Sequence, residues 1–150
     1  MRFTSPADYL SMLKINRELV NTIIDTPIVL YKLNQETTQV NSYGEATTKV
    51  WYVGVQMPAM IKREQQNPVA DMQTMNFGQT AEFWLLRQEC QDRNIYPESG
   101  DIINFYNDYW EIDNTNENQL YAGREEYNHS IVCECHLTRS TGLQLERPQA

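Results

Sequence analysis

The chain of 150 residues lacks the features that mark several protein classes. It has three cysteines, Cys90, Cys133 and Cys135, which are few and cannot all pair, so we expect no disulfide framework. This favours a reducing compartment. No hydrophobic run approaches the ~20 residues of a membrane span. The first residues also lack the apolar core of a secretory signal. We therefore expect no association with a membrane.

Glycine and proline are also scarce, with six residues of each. This content is too low for a disordered or collagen-like chain, whereas 41% hydrophobic and 11% aromatic residues are typical of a folded one. A domain usually has roughly 100–200 residues. We therefore expect one domain over residues 1–150.

Basic residues are few, since 12 Lys and Arg oppose 20 Asp and Glu, for a net charge of −8. The imbalance is confined to one part of the chain: residues 64–150 hold five basic and fifteen acidic residues, whereas residues 1–63 hold seven basic and five acidic. Affinity for nucleic acid comes mainly from basic side chains that neutralise phosphates. The composition therefore excludes a sequence-reading DNA binder and a polybasic protein of membrane surfaces.

One helix is well signalled near the N-terminus, over about residues 6–25. Ser5, Pro6 and Asp8 provide an N-cap hydroxyl, proline at the first helical position and an acid at the third. Apolar side chains follow at steps of three and four residues, namely Tyr9, Met12, Ile15, Leu19 and Ile23. Thr26 ends the helix because it precedes a proline. We expect this apolar stripe to cover the core of its own domain, with a neighbouring subunit as the alternative.

From residue 27 to about 139 the pattern is typical of β-structure. Short segments rich in β-branched and aromatic residues alternate with turn formers, at 28–33, 50–55, 59–62, 80–87, 101–105, 109–113 and 130–137. Segments 34–49 and 64–79 are polar and predict long irregular loops, and residues 140–150 predict an extended tail. The sequence thus predicts a mainly β fold, a small β-barrel or β-sandwich with one N-terminal α-helix and two long polar loops.

Three smaller features are predicted within this β region. Residues 106–108 should connect a hairpin, residues 97–100 should form the turn before it, and residues 89–94 should form a single helical turn. The aromatic side chains should alternate between the core and the outer face of the strands, where Tyr106 and Tyr109 are candidates for a protein interface.

His129, Cys133, Cys135 and His136 are of the residue types that bind zinc, which makes a metal site one interpretation of this segment. On a strand, however, Cys133 and Cys135 would share one face while His136 would point to the other. The favoured interpretation is therefore that both cysteines are small core side chains of a buried strand. No metal or other cofactor is expected.

Catalytic motifs are absent from the sequence, which has no glycine-rich phosphate loop, no HExxH and no G-x-S-x-G. A nucleophile pair could be drawn from Cys90 with His129 or His136, but no third group is fixed beside it. Carboxylates are so abundant that pairing two of them carries no information. We therefore expect a protein that is not an enzyme, and we keep a small metal-binding or Cys/His enzyme domain as an alternative.

Several linked motifs between residues 80 and 140 resemble the neck proteins of tailed bacteriophages, especially those with contractile tails. They are a P-x-x-G-D-I-I turn and strand, a Y-W-E-I-D-N strand, an E-N-Q step and a closing H-L-T-R strand. The positions that carry the resemblance are Pro97, Gly100, Asp101, Tyr109, Glu111, Asp113, Asn114, Glu117, Asn118, Gln119, His136, Thr138 and Arg139.

The resemblance implies a head–tail connector or head-closure protein, located at the head–tail junction of a virion and assembled in the host cytoplasm, that helps to retain and conduct the DNA. Such a protein forms a homo-oligomeric ring, six- or twelve-fold, between the portal or adaptor on the head side and a tail terminator or second neck protein on the tail side. Genomic double-stranded DNA would pass the lumen without sequence-specific binding, along acids that we assign to Glu98, Asp108 and Glu117. A tail terminator or other ring-forming tail protein is the alternative.

Overall fold

A computed structural model of the protein describes residues 5–34, 39–40, 46–63, 67–71 and 74–138. The helices are α1 (Pro6–Glu18), which continues as a π-helix (Leu19–Ile24), and α2 (Arg87–Arg93), with two 3₁₀ turns at Tyr121–Gly123 and Glu125–Tyr127. The strands are β1 (Pro27–Tyr31), β2 (Gln39–Val40), β3 (Ala46–Thr48), β4 (Val55–Pro58), β5 (Met60–Arg63), β6 (Asn67–Asp71), β7 (Thr74–Gly78), β8 (Thr80–Leu86), β9 (Ile102–Phe105), β10 (Asp108–Leu120) and β11 (Asn128–Thr138).

The start of α1 has the predicted capping box. The backbone N–H of Asp8 donates to Ser5 Oγ (3.3 Å), and the backbone N–H of Ser5 donates to Asp8 Oδ2 (2.9 Å). Asp8 Oδ2 accepts hydrogen bonds from both the backbone N–H and the hydroxyl of Ser5, which favour the charged carboxylate and lower the pKa of Asp8. The predicted extent of the helix is confirmed, because the π-helix ends at Ile24 and Asp25 closes it in the left-handed conformation.

Seven strands form one antiparallel sheet in the order β4-β1-β9-β10-β11-β8-β5. Its two edge strands, β4 and β5, are consecutive in the chain and are joined by the fully buried Ala59. The sheet therefore folds over and encloses its apolar face, but it is not closed by hydrogen bonds into a barrel. Of the predicted architectures, a mainly β fold of sandwich type with an N-terminal helix is confirmed.

Alternate residues of each strand build the main core, as the predicted period of two requires. Phe83, Trp110 and Phe105 form its aromatic centre, where Phe83 meets Trp110 edge-on at 5.9 Å between ring centroids. A smaller cluster of Tyr31, Trp51 and Ile102 lies on the opposite face of β1 and β9. The predicted alternation of aromatic side chains is confirmed within β8, where Phe83 is fully buried and the next residue, Trp84, is only partly buried.

The strand predicted at residues 50–55 does not form as such. Trp51 makes a single bridge to Leu33, and β4 begins only at Val55. A Cβ atom on Gly54 would lie 2.5 Å from Val29 Cγ1, so the backbone here approaches β1 too closely for a side chain. The interruption between Trp51 and β4 includes Gly54, where only glycine fits against β1.

Several polar segments carry more regular structure than predicted. Strand β10 runs from Asp108 to Leu120, beyond the predicted residues 109–113, because its polar second half still pairs with β11 through the backbone. Segments 34–49 and 64–79 were expected to be irregular, but they contain the two-stranded pairs β2–β3 and β6–β7. Backbone pairing of this kind requires no apolar alternation, so the sequence pattern does not reveal it.

The turns around the predicted hairpin, β9 and β10, follow the prediction closely. Tyr106 and Asn107 connect β9 to β10, and Gly100 has a φ of +94° in the turn before β9. The short helix after β8 is longer than the single turn expected, since α2 covers Arg87–Arg93 and ends at the left-handed Asn94. The predicted tail 140–150 lies outside the described residues. Among the described helices, none is long and apolar enough to cross a membrane.

Candidate functional site

The P-x-x-G-D motif surrounds a buried carboxylate that fastens the end of β1 to the turn before β9. Asp101 is 2% exposed, and its oxygens accept hydrogen bonds from the backbone N–H of Leu33 (3.0 Å) and of Glu98 (2.8 Å). The ammonium of Lys32 lies 3.0 Å from Asp101 Oδ2 and neutralises its charge. Asp101 is therefore a structural member of the motif.

The other residues of this motif also serve the fold. The backbone N–H of Gly100 donates to the carbonyl of Ile112 (2.9 Å), and the N–H of Ile112 donates to the carbonyl of Asp101 (2.9 Å). Pro97 is buried beside this turn. The sequence pointed to Pro97, Gly100 and Asp101 but gave no signal for Lys32, because the ammonium and the carboxylate that it pairs with are far apart along the chain.

The acidic motif positions on β10 lie on the outer face of the sheet together with His136. Asp113 is the extra residue of a β-bulge, and its Oδ1 lies 2.6 Å from His136 Nδ1. Glu111 pairs with Lys49 (3.4 Å) and is 4.0 Å from His136 Nε2. The motif thus brings Glu111, Asp113 and His136 together in a partly exposed group on the outer face of the sheet.

The remaining motif positions are distributed along β10 and β11. Tyr109 packs partly against the smaller apolar cluster. Asn114, Glu117 and Asn118 are exposed, whereas Gln119 and Thr138 are half-buried, and Arg139 lies outside the described residues. The motif positions therefore do not converge on one cavity, as the residues of an active site would.

The three acids assigned to a lumen are exposed but do not form one cluster. Glu98 pairs with Lys32 (3.1 Å), and Asp108 lies 3.8 Å from Arg63. Asp108 and Glu117 lie near opposite ends of β10, about 30 Å apart at ~3.3 Å per residue. Their position relative to a lumen stays a prediction.

The candidate metal residues lie on two faces of β11, as the strand geometry predicted. Cys133 and Cys135 are buried in the main core, while His136 bonds to Asp113 on the outer face and His129 Nδ1 lies 2.7 Å from Ser130 Oγ. Burial lowers the pKa of His129. Within the part of the chain that the structure describes, no group of three or more His, Cys, Asp or Glu side chains is arranged to hold a metal ion.

The candidate nucleophile Cys90 is also a core residue, with no exposed surface. Burial raises the pKa of Cys90 to about 11 and that of Cys133 to about 12, and it raises the pKa of Cys135 further. A neutral thiol is a weak nucleophile. The pairing of Cys90 with His129 or His136 therefore has no support in the geometry.

We expect the three cysteines of the native protein to resist an aromatic disulfide reagent at pH 8 and to react fully in denaturant. Burial excludes the reagent, and the raised pKa values keep the thiols protonated at that pH. The absorbance of the released thiolate counts the reacted cysteines. One fast-reacting cysteine in the native protein would contradict the core assignment.

The N-terminal helix presents much of its apolar surface to solvent. No residue of α1 is buried, and Ile15, Leu19 and Ile23 are 65%, 39% and 72% exposed. The prediction that the stripe covers the domain's own core is wrong for these three residues. Ile15, Leu19 and Ile23 follow one another at steps of four residues and so share one side of the helix, whereas Val20 turns inward. We call residues 6–24 the arm, and we call Ile15, Leu19 and Ile23 the apolar stripe of the arm.

A buried carboxylate on α2, that of Glu89, holds the N-terminal helix in place. This role was not predicted from the sequence. Glu89 is 2% exposed; Arg17 Nε lies 2.8 Å from its Oε1, Asn21 Nδ2 donates to the same oxygen at 3.0 Å, and Arg93 pairs with Oε2. Burial alone would raise the pKa of Glu89, but the bonds from Asn21 and Arg93 and the two arginine charges lower it overall. Glu89 is therefore ionised at neutral pH.

No protein-family model matches this sequence, and no curated protein matches it. Among solved structures, the fold is similar to a chain of the virion of a native gene transfer agent (GTA) particle. The two chains share 11% sequence identity at a TM-score of 0.54, and the similarity covers 75% of this chain and 93% of the other. At this identity the similarity shows a shared fold.

Proposed function

We propose that this chain is a structural protein of a phage-like virion and that it forms a neck ring between the head and the tail. The observation that carries the proposal is the fold, which is shared with 93% of a chain from a gene transfer agent virion. The neck assignment rests on the phage-neck motifs of residues 80–140, which the comparison of folds does not test.

A surface for subunit contacts supports a role in assembly. Subunits of a closed ring meet through two different surfaces, one on each side of the joint. The apolar stripe of the arm is of the kind found at such contacts, since large exposed apolar side chains on one side of a helix are costly in solution. We assign it to the contact with a neighbouring copy in the ring.

The charge of the chain suits a conduit for DNA. With 20 acidic and 12 basic residues, the surface gains nothing from releasing the counterions of a phosphate backbone. A neck that helps to retain and conduct DNA must not bind it tightly while the genome moves through the lumen. In this proposal the chain carries no catalysis, and its partners are the portal or adaptor ring above and a tail protein below.

Electron cryomicroscopy of intact particles from the source host tests the proposal. We expect this fold in a six- or twelve-fold ring at the head–tail junction, with Ile15 and Ile23 at the contact between copies. A ring at the distal end of the neck, directly on the tail tube, would instead identify a tail terminator. Absence of the chain from particles that are otherwise complete would overturn the proposal.

A further inference from the structure

We propose that residues 6–24 form a detachable arm, which Glu89 holds closed on α2 and which opens about Asp25 when copies of the chain assemble. The arm comprises α1 and the π-helix that follows it. The reference to assembly rests on the proposed function, whereas the existence of the arm is a property of the isolated chain.

The arm contributes little to the core of the domain. Over Pro6–Glu18 no side chain is buried, and in the π-helix only Val20 is. A polar cleft of about 310 Å³ lies between the arm and the body of the domain, lined from the arm by Tyr9 and Leu13 and from α2 by Gln88 and Gln91. Apart from Val20, the apolar side chains of the arm that are not exposed, such as Tyr9 and Leu13, are only half-buried, so opening the arm exposes little fully buried apolar surface.

Specific contacts at two places hold the arm closed: charged and polar contacts in the middle, and an aromatic stack with one hydrogen bond near the start. In the middle, Arg17 bonds to Glu89 (2.8 Å) and to Asp92 (2.6 Å), and Asn21 bonds to Glu89. Near the start, Tyr9 stacks on Tyr127 at 4.4 Å between ring centroids, and its hydroxyl donates to the carbonyl of Asn128 (3.2 Å). The bonds of Arg17 and Asn21 to the buried carboxylate of Glu89 are strong only in one geometry, so both are lost together when the arm moves.

The arm also has a defined joint. Asp25 has a φ of +43°, a left-handed conformation that ends the helical hydrogen bonds, and Pro27 begins β1 two residues later. A few residues at the end of an element commonly absorb the change in φ and ψ of a hinge. Below the joint, the N–H of Ala59 donates to the carbonyl of Thr26 (3.0 Å), which anchors the chain to the sheet.

Hydrogen–deuterium exchange of the full-length isolated chain, followed by mass spectrometry, tests the arm. In Glu89→Gln we expect peptides from residues 6–24 to exchange on the order of tenfold to a hundredfold faster. The reason is that this variant loses the charged clamp, by which we mean the contacts of Glu89 with Arg17 and Asn21. Peptides from β8 to β11 should keep their protection. Lys62→Gln is the matched control, since it removes the Lys62–Glu82 pair (3.8 Å) on the sheet and should leave the arm unchanged.

Arg17→Met repeats the test from the other side of the clamp and leaves Glu89 paired with Arg93. It should also accelerate exchange in residues 6–24 without changing the sheet, so the test stands even if Glu89→Gln does not fold. Equal acceleration in the arm and the sheet, or none in the arm, would overturn the proposal. Either result leaves the neck assignment untouched, because that assignment is decided by the location of the chain in particles.

Discussion

Replacing Asp101 by alanine is expected to lower the free energy of unfolding by about 3–5 kcal/mol, because it breaks a buried ion pair from one side. The substitution removes the acceptor for the backbone N–H groups of Leu33 and Glu98, and it leaves the ammonium of Lys32, whose side chain is 24% exposed, without its buried partner. The turn before β9 loses its attachment to β1 at the same time. Equilibrium unfolding in urea, monitored by tryptophan fluorescence, measures the change.

Two variants separate the buried carboxylate from the ion pair at the surface. Glu98→Ala removes the other acid that pairs with Lys32, but its side chain is 68% exposed, so we expect a loss of less than about 1 kcal/mol. Asp101→Asn keeps one oxygen acceptor, so its loss in free energy of unfolding should lie between those of the other two variants. If Asp101→Ala lowers the free energy of unfolding no more than Glu98→Ala does, Asp101 does not fasten the turn before β9 to β1.

The double variant Ile15→Asp, Ile23→Asp is expected to fold normally but to enter particles about a hundredfold less than the unsubstituted chain. Both side chains are largely exposed in the isolated chain, so their replacement removes little buried surface and should leave the melting temperature nearly unchanged. In a ring contact, each carboxylate would be buried without a partner at an anchor position. Quantitative mass spectrometry of purified particles measures incorporation, and thermal unfolding of the isolated chain measures stability.

Leu10→Asp is the matched control for this variant. Leu10 is 64% exposed on the same helix, but it lies five residues before Ile15 and therefore on another side of the helix. We expect it to be incorporated normally. Wild-type incorporation of the double variant would show that the apolar stripe of the arm is not a contact in the particle.

Local signals in the sequence were sufficient for much of the fold. The capping box at Ser5 and Asp8 acts within one turn of helix, so its residues are adjacent in the sequence and predict the structure directly. The same holds for the alternation of Phe83 and Trp84, since a strand repeats every two residues. These features depend on near neighbours alone.

Other features depend on where distant segments meet, and the sequence did not predict them. The role of Glu89 appears only when α1 lies beside α2, which brings Arg17 to a residue 72 positions away. The exposure of Leu19 and Ile23 depends on how the helix lies against the rest of the domain, which their spacing of four residues does not reveal. The sequence therefore predicted the motif positions of the candidate site. It did not predict the clamp around Glu89 or the exposure of the apolar stripe of the arm.

The junction at Ala59 has a consequence for how copies of the chain can associate. Both edges of the large sheet are short strands of four residues, β4 ending in Pro58 and β5 carrying Lys62 and Arg63. Short edges with proline and positive charge are poor templates for adding a foreign strand. The large sheet is thus a poor template for continuing from one copy into the next, so the contact between copies that we propose would have to be made by side chains.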